Sequence, residues 1–158
     1  MKLMRRIDKQ LSNSMAEAIL VQNHYGILSI VLPDGTPYGV PVNYGYVDHE
    51  IIIHGATEGT KIDAIRINPF ACFTVVHAVI NDFIHLNTKY TSTIVHGNIK
   101  IITNPEEKRM YLIKLVSHYG LTERDIKTNL ITETDITAVL VMSIDQITAK
   151  GQADFVQL

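Results

Sequence analysis

The clearest pattern in this chain is a period of two. In Pro37-Tyr38-Gly39-Val40-Pro41-Val42-Asn43-Tyr44-Gly45-Tyr46, the side chains of Tyr38, Val40, Val42, Tyr44 and Tyr46 fall on one face. Gly39, Pro41, Asn43 and Gly45 fall on the other, as in a half-buried strand. Residues 26–32 read as the strand before it, joined through Pro33-Asp34-Gly35, where proline presets φ and glycine accepts a positive value. Asp48-His49-Glu50 then turns the chain into Ile51-Ile52-Ile53-His54, completing a meander. Further strands are expected at 70–79, at 89–102, long enough to bend, and at 138–150.

Helical spacing is confined to short stretches. Ser14 and Glu17 have the separation of a capping box, and Ala16, Ile19 and Leu20 form an apolar stripe, which predicts a helix over 14–23. A second helix is expected over 58–67, stopped by Asn68-Pro69. Asn104-Pro105-Glu106-Glu107 combines an N-cap, a first-position proline and first-turn acids, predicting a helix to about Tyr119. Thr122-Glu123-Arg124-Asp125 starts another short one. The β segments are too many and too closely spaced for a βαβ sheet. They predict a mainly β, antiparallel barrel or sandwich forming one domain over 1–158.

Composition adds two points. Apolar residues make up 46% of the 158, which hints at more apolar surface than one core can bury and so at a subunit interface. The 14 basic and 16 acidic side chains leave no electrostatic footprint for nucleic acid or an anionic membrane. Met1-Lys2-Leu3-Met4-Arg5-Arg6 is basic but runs into Asp8-Lys9-Gln10 rather than the apolar stretch of a secretory signal, and no run approaches membrane-spanning length. A cytoplasmic location is expected. Cys72, the only cysteine, reads as a small buried hydrophobe.

No histidine or cysteine spacing marks a metal site, and no Gly-x-Ser-x-Gly elbow is present. Two places invite a ligand. Pro41 cannot donate to a ladder, so its strand is expected at an edge or bulge, leaving backbone groups at Val42 and Asn43 free. A plain edge strand explains the same residues. The run Ile53-His54-Gly55-Ala56-Thr57-Glu58-Gly59-Thr60-Lys61 leads from a strand through small residues into a helix start. Unpaired N–H groups, positive potential and a lysine there suit a phosphate, although a simple turn with a solvated lysine also fits.

Taken in order, these residues resemble the pyridoxamine 5′-phosphate oxidase-like flavoproteins, and within them the nitroimidazole-resistance (Nim) group. The similarity runs from Met4-Arg5-Arg6-x-Asp8-Lys9 through Asp34-Gly35-x-Pro37-Tyr38-x-Val40-Pro41-Val42-Asn43-Tyr44 to His54-Gly55-Ala56-x-x-Gly59-x-Lys61. It continues with Asn68-Pro69-x-x-Cys72-Phe73, Tyr90-x-Ser92-x-Ile94-Val95-x-Gly97 and the Pro105-Glu106-Glu107-Lys108 helix. The resemblance implies an antiparallel split β-barrel of six to eight strands with a few short helices. It also implies a homodimer with FMN at the subunit interface and a small-molecule substrate.

By position, Val42 and Asn43, with Pro41 and Tyr44 beside them, resemble backbone partners of the isoalloxazine ring. Lys61, eight residues before Pro69, resembles the family's phosphate-binding lysine, with Ile62 next to it. Ser92 falls where relatives carry a polar flavin contact. Gly55 and Ala56 follow a histidine, His54, that the resemblance sets next to the flavin as a proton donor or substrate-orienting group. This chain has Gly59-Thr60-Lys61-Ile62 where the oxidases carry Ser-Arg-Lys-Gly, and Ser92 where they carry glutamine. Those departures favour FMN-dependent reduction of a nitro group over vitamin B6 oxidation. A dimer that binds flavin or haem without turnover is the competing expectation.

Overall fold

The computed structural model describes residues 4–125 and 134–158. Met1, Lys2 and Leu3 of the basic start, and whatever follows Asp125 in the short helix expected there, lie outside them. The described strands are β1 (Gln10–Leu11), β2 (Tyr25–Val31), β3 (Pro37–Asn43), β4 (Gly45–Val47), β5 (Glu50–Gly55), β6 (Phe70–Asp82), β7 (Asn87–Ile102), β8 (Ala138–Ser143) and β9 (Gln146–Gly151). Three α-helices accompany them: α1 (Asn13–Gln22), α2 (Thr60–Ile67) and α3 (Pro105–His118). The molecule is mainly β and antiparallel, as expected. The strands number nine because two very short ones, β1 and β4, count separately.

The strands lie in the order β3-β2-β6-β7-β8-β5-β4, with β9 on β7 and β1 on β9. The path does not close on itself, and two breaks explain its shape. The strand expected over 37–46 divides at Tyr44: β3 pairs with β2, whereas β4 pairs with β5. The strand expected over 138–150 likewise divides at Ile144-Asp145. β8 pairs with β5 and with the end of β7, from Ile99 to Ile102, whereas β9 pairs with Thr91 to His96. Opposite that second break stands Gly97. A Cβ there would lie 1.7 Å from the Ser143 carbonyl oxygen, so the bend needs a residue with no side chain.

The interior forms two clusters. Leu28, Phe73, Val75, Val95, Ile51, Ile53 and Leu140 fill the larger one, closed by Ala16, Ile19 and Leu20 of α1 and by Ile62 and Ile65 of α2. In the second, Leu112, Leu115 and Val116 of α3 cover Ile52, Val139 and Val141 on the opposite face of β5 and β8, with Ile102 at the end of β7.

α3 begins where the sequence indicates, with Asn104 Oδ1 accepting from Glu107 N at 3.0 Å. α1 does not begin at Ser14. Its N-cap is Ser12, whose hydroxyl accepts from Met15 N at 3.2 Å, while Glu17 lies 3.4 Å from His49 instead of reaching back to the cap.

Candidate functional site

The break at Tyr44 assembles the site. Because β3 runs straight into β4, which pairs Gly45 with Ile52, the end of β3 at Val42-Asn43 lies beside the end of β5 at His54-Gly55. β3 is an edge strand hydrogen-bonded only to β2, with Pro41 opposite Ile27. Pro41 and Asn43 are exposed and Val42 is half-buried, as the proline led one to expect.

From Gly55 the chain crosses Ala56 and three further exposed residues into α2, whose N-cap is Gly59. With no capping side chain at that end, the first N–H groups of the helix keep their positive potential. Lys61, in its first turn, folds back over the strand. A Cβ added to Gly55 would stand 3.1 Å from Lys61 Nζ, so glycine here gives the ammonium its place.

His54 continues the row of Ile52 on β5, and its backbone partner is Val139 of β8. Its Nδ1 is buried and makes no hydrogen bond. Burial first, and then the positive charge of Lys61, push the imidazole pKa below its ordinary value, so the ring is neutral at neutral pH. A neutral ring whose Nδ1 has no partner, in the field of an ammonium, is poised to exchange a hydrogen bond with a ligand.

The structure thus brings together Pro41, Val42, Asn43, His54, Gly55, Ala56 and Lys61. Two other expected residues turn their side chains inward. Tyr44 is fully buried, donates its hydroxyl to Leu20 O at 2.8 Å and packs edge-on against Phe73, and its backbone N–H donates to His24 O at 3.1 Å, so its side chain is not available to a ligand. Ile62 is 1% exposed and belongs to the core. Ser92 stands elsewhere, in β7 between Val76 of β6 and Lys150 of β9.

Sequence reasoning missed a cavity that Lys150, the ladder partner of Ser92, lines together with Arg6, Lys9 and Lys89. Four cations scattered across three parts of the chain give no local signal. Only the pairing of β7 with β9 and of β9 with β1 gathers them. Among the described residues, no group of His, Cys, Asp or Glu is arranged to hold a metal ion, and no helix is long and apolar enough to cross a membrane.

Nine antiparallel strands that exchange neighbours at two breaks, with a lysine-bearing helix start at the open edge, define a split β-barrel with a polar cradle at its seam. A family model described as pyridoxamine 5′-phosphate oxidase matches residues 12–151, and the chain belongs to that family. Among solved structures it is similar to a candidate 5-nitroimidazole antibiotic resistance protein from Bacteroides thetaiotaomicron. That match has 26% identity over 89% of this chain and 85% of that one, with a TM-score of 0.76.

It is also similar to an FAD and haem binding protein from Mycobacterium smegmatis (23% identity, 95% and 76% covered, TM-score 0.77). A third neighbour is an FAD-binding protein from Mesorhizobium loti (20% identity, 92% and 98% covered, TM-score 0.69). These last two likenesses speak to fold alone. No curated protein matches the chain. The family match, with the likeness to the resistance protein, gives it an oxidoreductase-type fold.

Proposed function

We propose that the chain is an FMN-dependent oxidoreductase of the nitroimidazole-reductase kind. In this reading it works as a homodimer, holds FMN between its subunits and reduces a small nitroaromatic or related acceptor. The observation that carries the reading is the buried, unbonded Nδ1 of His54, at the end of a strand whose next residue, Gly55, makes room for the Lys61 ammonium. A buried polar atom left unpaired costs roughly 1–3 kcal/mol, and a ligand group at this point recovers it.

The residues present fit FMN. Lys61 and the start of α2 suit its phosphate, and the free edge of β3 at Val42 and Asn43 suits the polar rim of its ring. Ser92, held in β7 between Val76 and Lys150, reaches the flavin from the second copy in this reading. When bound, FMN carries the reducing equivalents. His54, neutral at its lowered pKa, orients the acceptor through its ring N–H rather than acting as an imidazolium.

The test is His54→Ala. The variant is expected to keep its subunit association, bound FMN and bleaching by dithionite, and to lose about 10²–10⁴-fold in turnover of an added nitroimidazole. Turnover at the unmutated rate overturns the role of His54. A spectrum of the purified protein showing haem bands in place of flavin bands overturns the cofactor.

A further inference from the structure

The cavity of about 350 Å³ at the junction of β1, β7 and β9 is lined by Arg6, Lys9, Lys89, Lys150, Tyr90 and Gln152, among others. It is built rather than incidental. β1 pairs Gln10 with Lys150, which brings the N-terminal turn Ile7–Lys9 against the end of β9. On the other side Tyr90 N donates to Gln152 Oε1 at 2.7 Å, Gln152 N donates to Tyr90 O at 3.0 Å, and Thr91 Oγ1 donates to Gln152 O at 2.8 Å. These bonds fix the floor. The Lys150 ammonium stands 5.7 Å from the centre of the Tyr90 ring, a cation–π contact that holds its stem while leaving its N–H groups free.

Charge in the cavity is unbalanced. Arg6 is matched by Asp8, through bonds of 2.8 and 2.6 Å. Lys9, Lys89 and Lys150 make no ion pair among the described residues. Asp82, which feels the Lys89 charge, is itself held by His85 at 2.8 Å. Three ammonium groups around one small concavity repel each other, and a multivalent anion relieves that repulsion while accepting several charge-assisted hydrogen bonds.

We propose that this cavity is a second anion site, distinct from the Lys61 cradle, that takes the phosphate or pyrophosphate group of a small phosphorylated ligand. Ser92 pairs with Lys150 on the same face, so a ligand anchored here reaches along β7 toward the flavin contact expected at Ser92. The inference stands without the FMN reading, because it rests on the cation geometry alone.

The experiment uses the full chain saturated with FMN, so that the Lys61 cradle is filled, and titrates inorganic pyrophosphate calorimetrically at low salt. Saturable binding that weakens steeply as salt rises is expected. The double variant Lys89→Gln/Lys150→Gln, at one exposed and one half-buried position, is expected to lose about tenfold or more in pyrophosphate affinity. Its FMN affinity should not change, and its melting temperature should hold or rise as the repulsion is removed. Two further titrations separate the sources: ADP-ribose binding more tightly than pyrophosphate marks a nucleotide ligand, and ribose 5-phosphate doing so marks a monophosphorylated one. No saturable pyrophosphate binding, or equal binding by the double variant, overturns the site. Loss of binding only in Lys61→Ala also overturns it, by assigning the anion to the other cradle.

Discussion

The two halves of the sheet treat their outer faces differently. On β5 and β8, both faces are buried: Ile51, Ile53 and Leu140 point into the main core, while Ile52, Val139 and Val141 lie under α3. On β2, β6 and β7, the inward residues Leu28, Phe73, Val75 and Val95 are fully buried, yet among the described residues no helix covers the outward ones. Tyr25, Ile27, Val31, Phe70, Val76 and Ile94 remain 39–58% exposed. They are neighbours across the ladder: Ile27 stands between Pro41 and Thr74, and Thr74 beside Ile94. One half carries its own cover; the other presents exposed apolar side chains on neighbouring strands, the kind of face that marks an interaction surface. A second copy of the chain is the cover we propose.

The largest effects should come from adjacent residues on the two faces of β2. Leu28→Ala, on the inner face, is expected to cost about 2–5 kcal/mol of unfolding free energy, because it empties a packed core site. Ile27→Asp, one residue along and outward, should leave the fold intact but halve the mass seen in sedimentation. An unmutated protein that sediments as a monomer at micromolar concentration removes the comparison's premise. If Ile27→Asp sediments as a dimer, the interface lies elsewhere.

A smaller effect separates the two basic regions. Lys61→Ala is expected to weaken FMN by about 1–3 kcal/mol, the worth of a charge-assisted contact to phosphate. Riboflavin, which lacks the phosphate, should bind nearly as before. Equal affinity of the unmutated protein for FMN and riboflavin removes Lys61 from the phosphate.

Those contrasts also show which parts of the molecule could be read in advance. Alternation along 37–46 was legible because each residue's burial is set by its own strand: Tyr38, Val40 and Val42 are half-buried and Tyr44 and Tyr46 buried. The break at Tyr44 was not legible, since it arises when the chain leaves β2 for β5, a choice made by distant partners. The break at Ile144-Asp145 depends in the same way on Gly97, almost fifty residues upstream. The α3 start was legible because Asn104 and Pro105 act locally, whereas Ser12 took the α1 cap from the equally plausible Ser14. Of the site, the loop from His54 to Lys61 could be read from adjacent residues. That Lys61 folds over Gly55, and that His54 Nδ1 is left without a partner, are facts of packing.

The smallest expected effect concerns His54, which extends the covered row of Ile52 beyond the reach of a ready partner. Burial and Lys61 lower its pKa in the folded chain, whereas the unfolded chain titrates near the ordinary value of about 6.5. Above that pH the ring is neutral in both states and contributes no slope. As pH falls below it, the unfolded chain takes up a proton that the folded chain refuses, so stability declines. His118, also lowered chiefly by burial, contributes a slope of the same sign. Comparing the unmutated protein with His54→Gln isolates the part due to His54. Melting temperatures of the ligand-free proteins between pH 7.5 and 5 should fall in both, and less steeply in the variant. Parallel curves would mean that His54 is as readily protonated in the fold as out of it. The neutral ring on which its orienting role depends would then be lost.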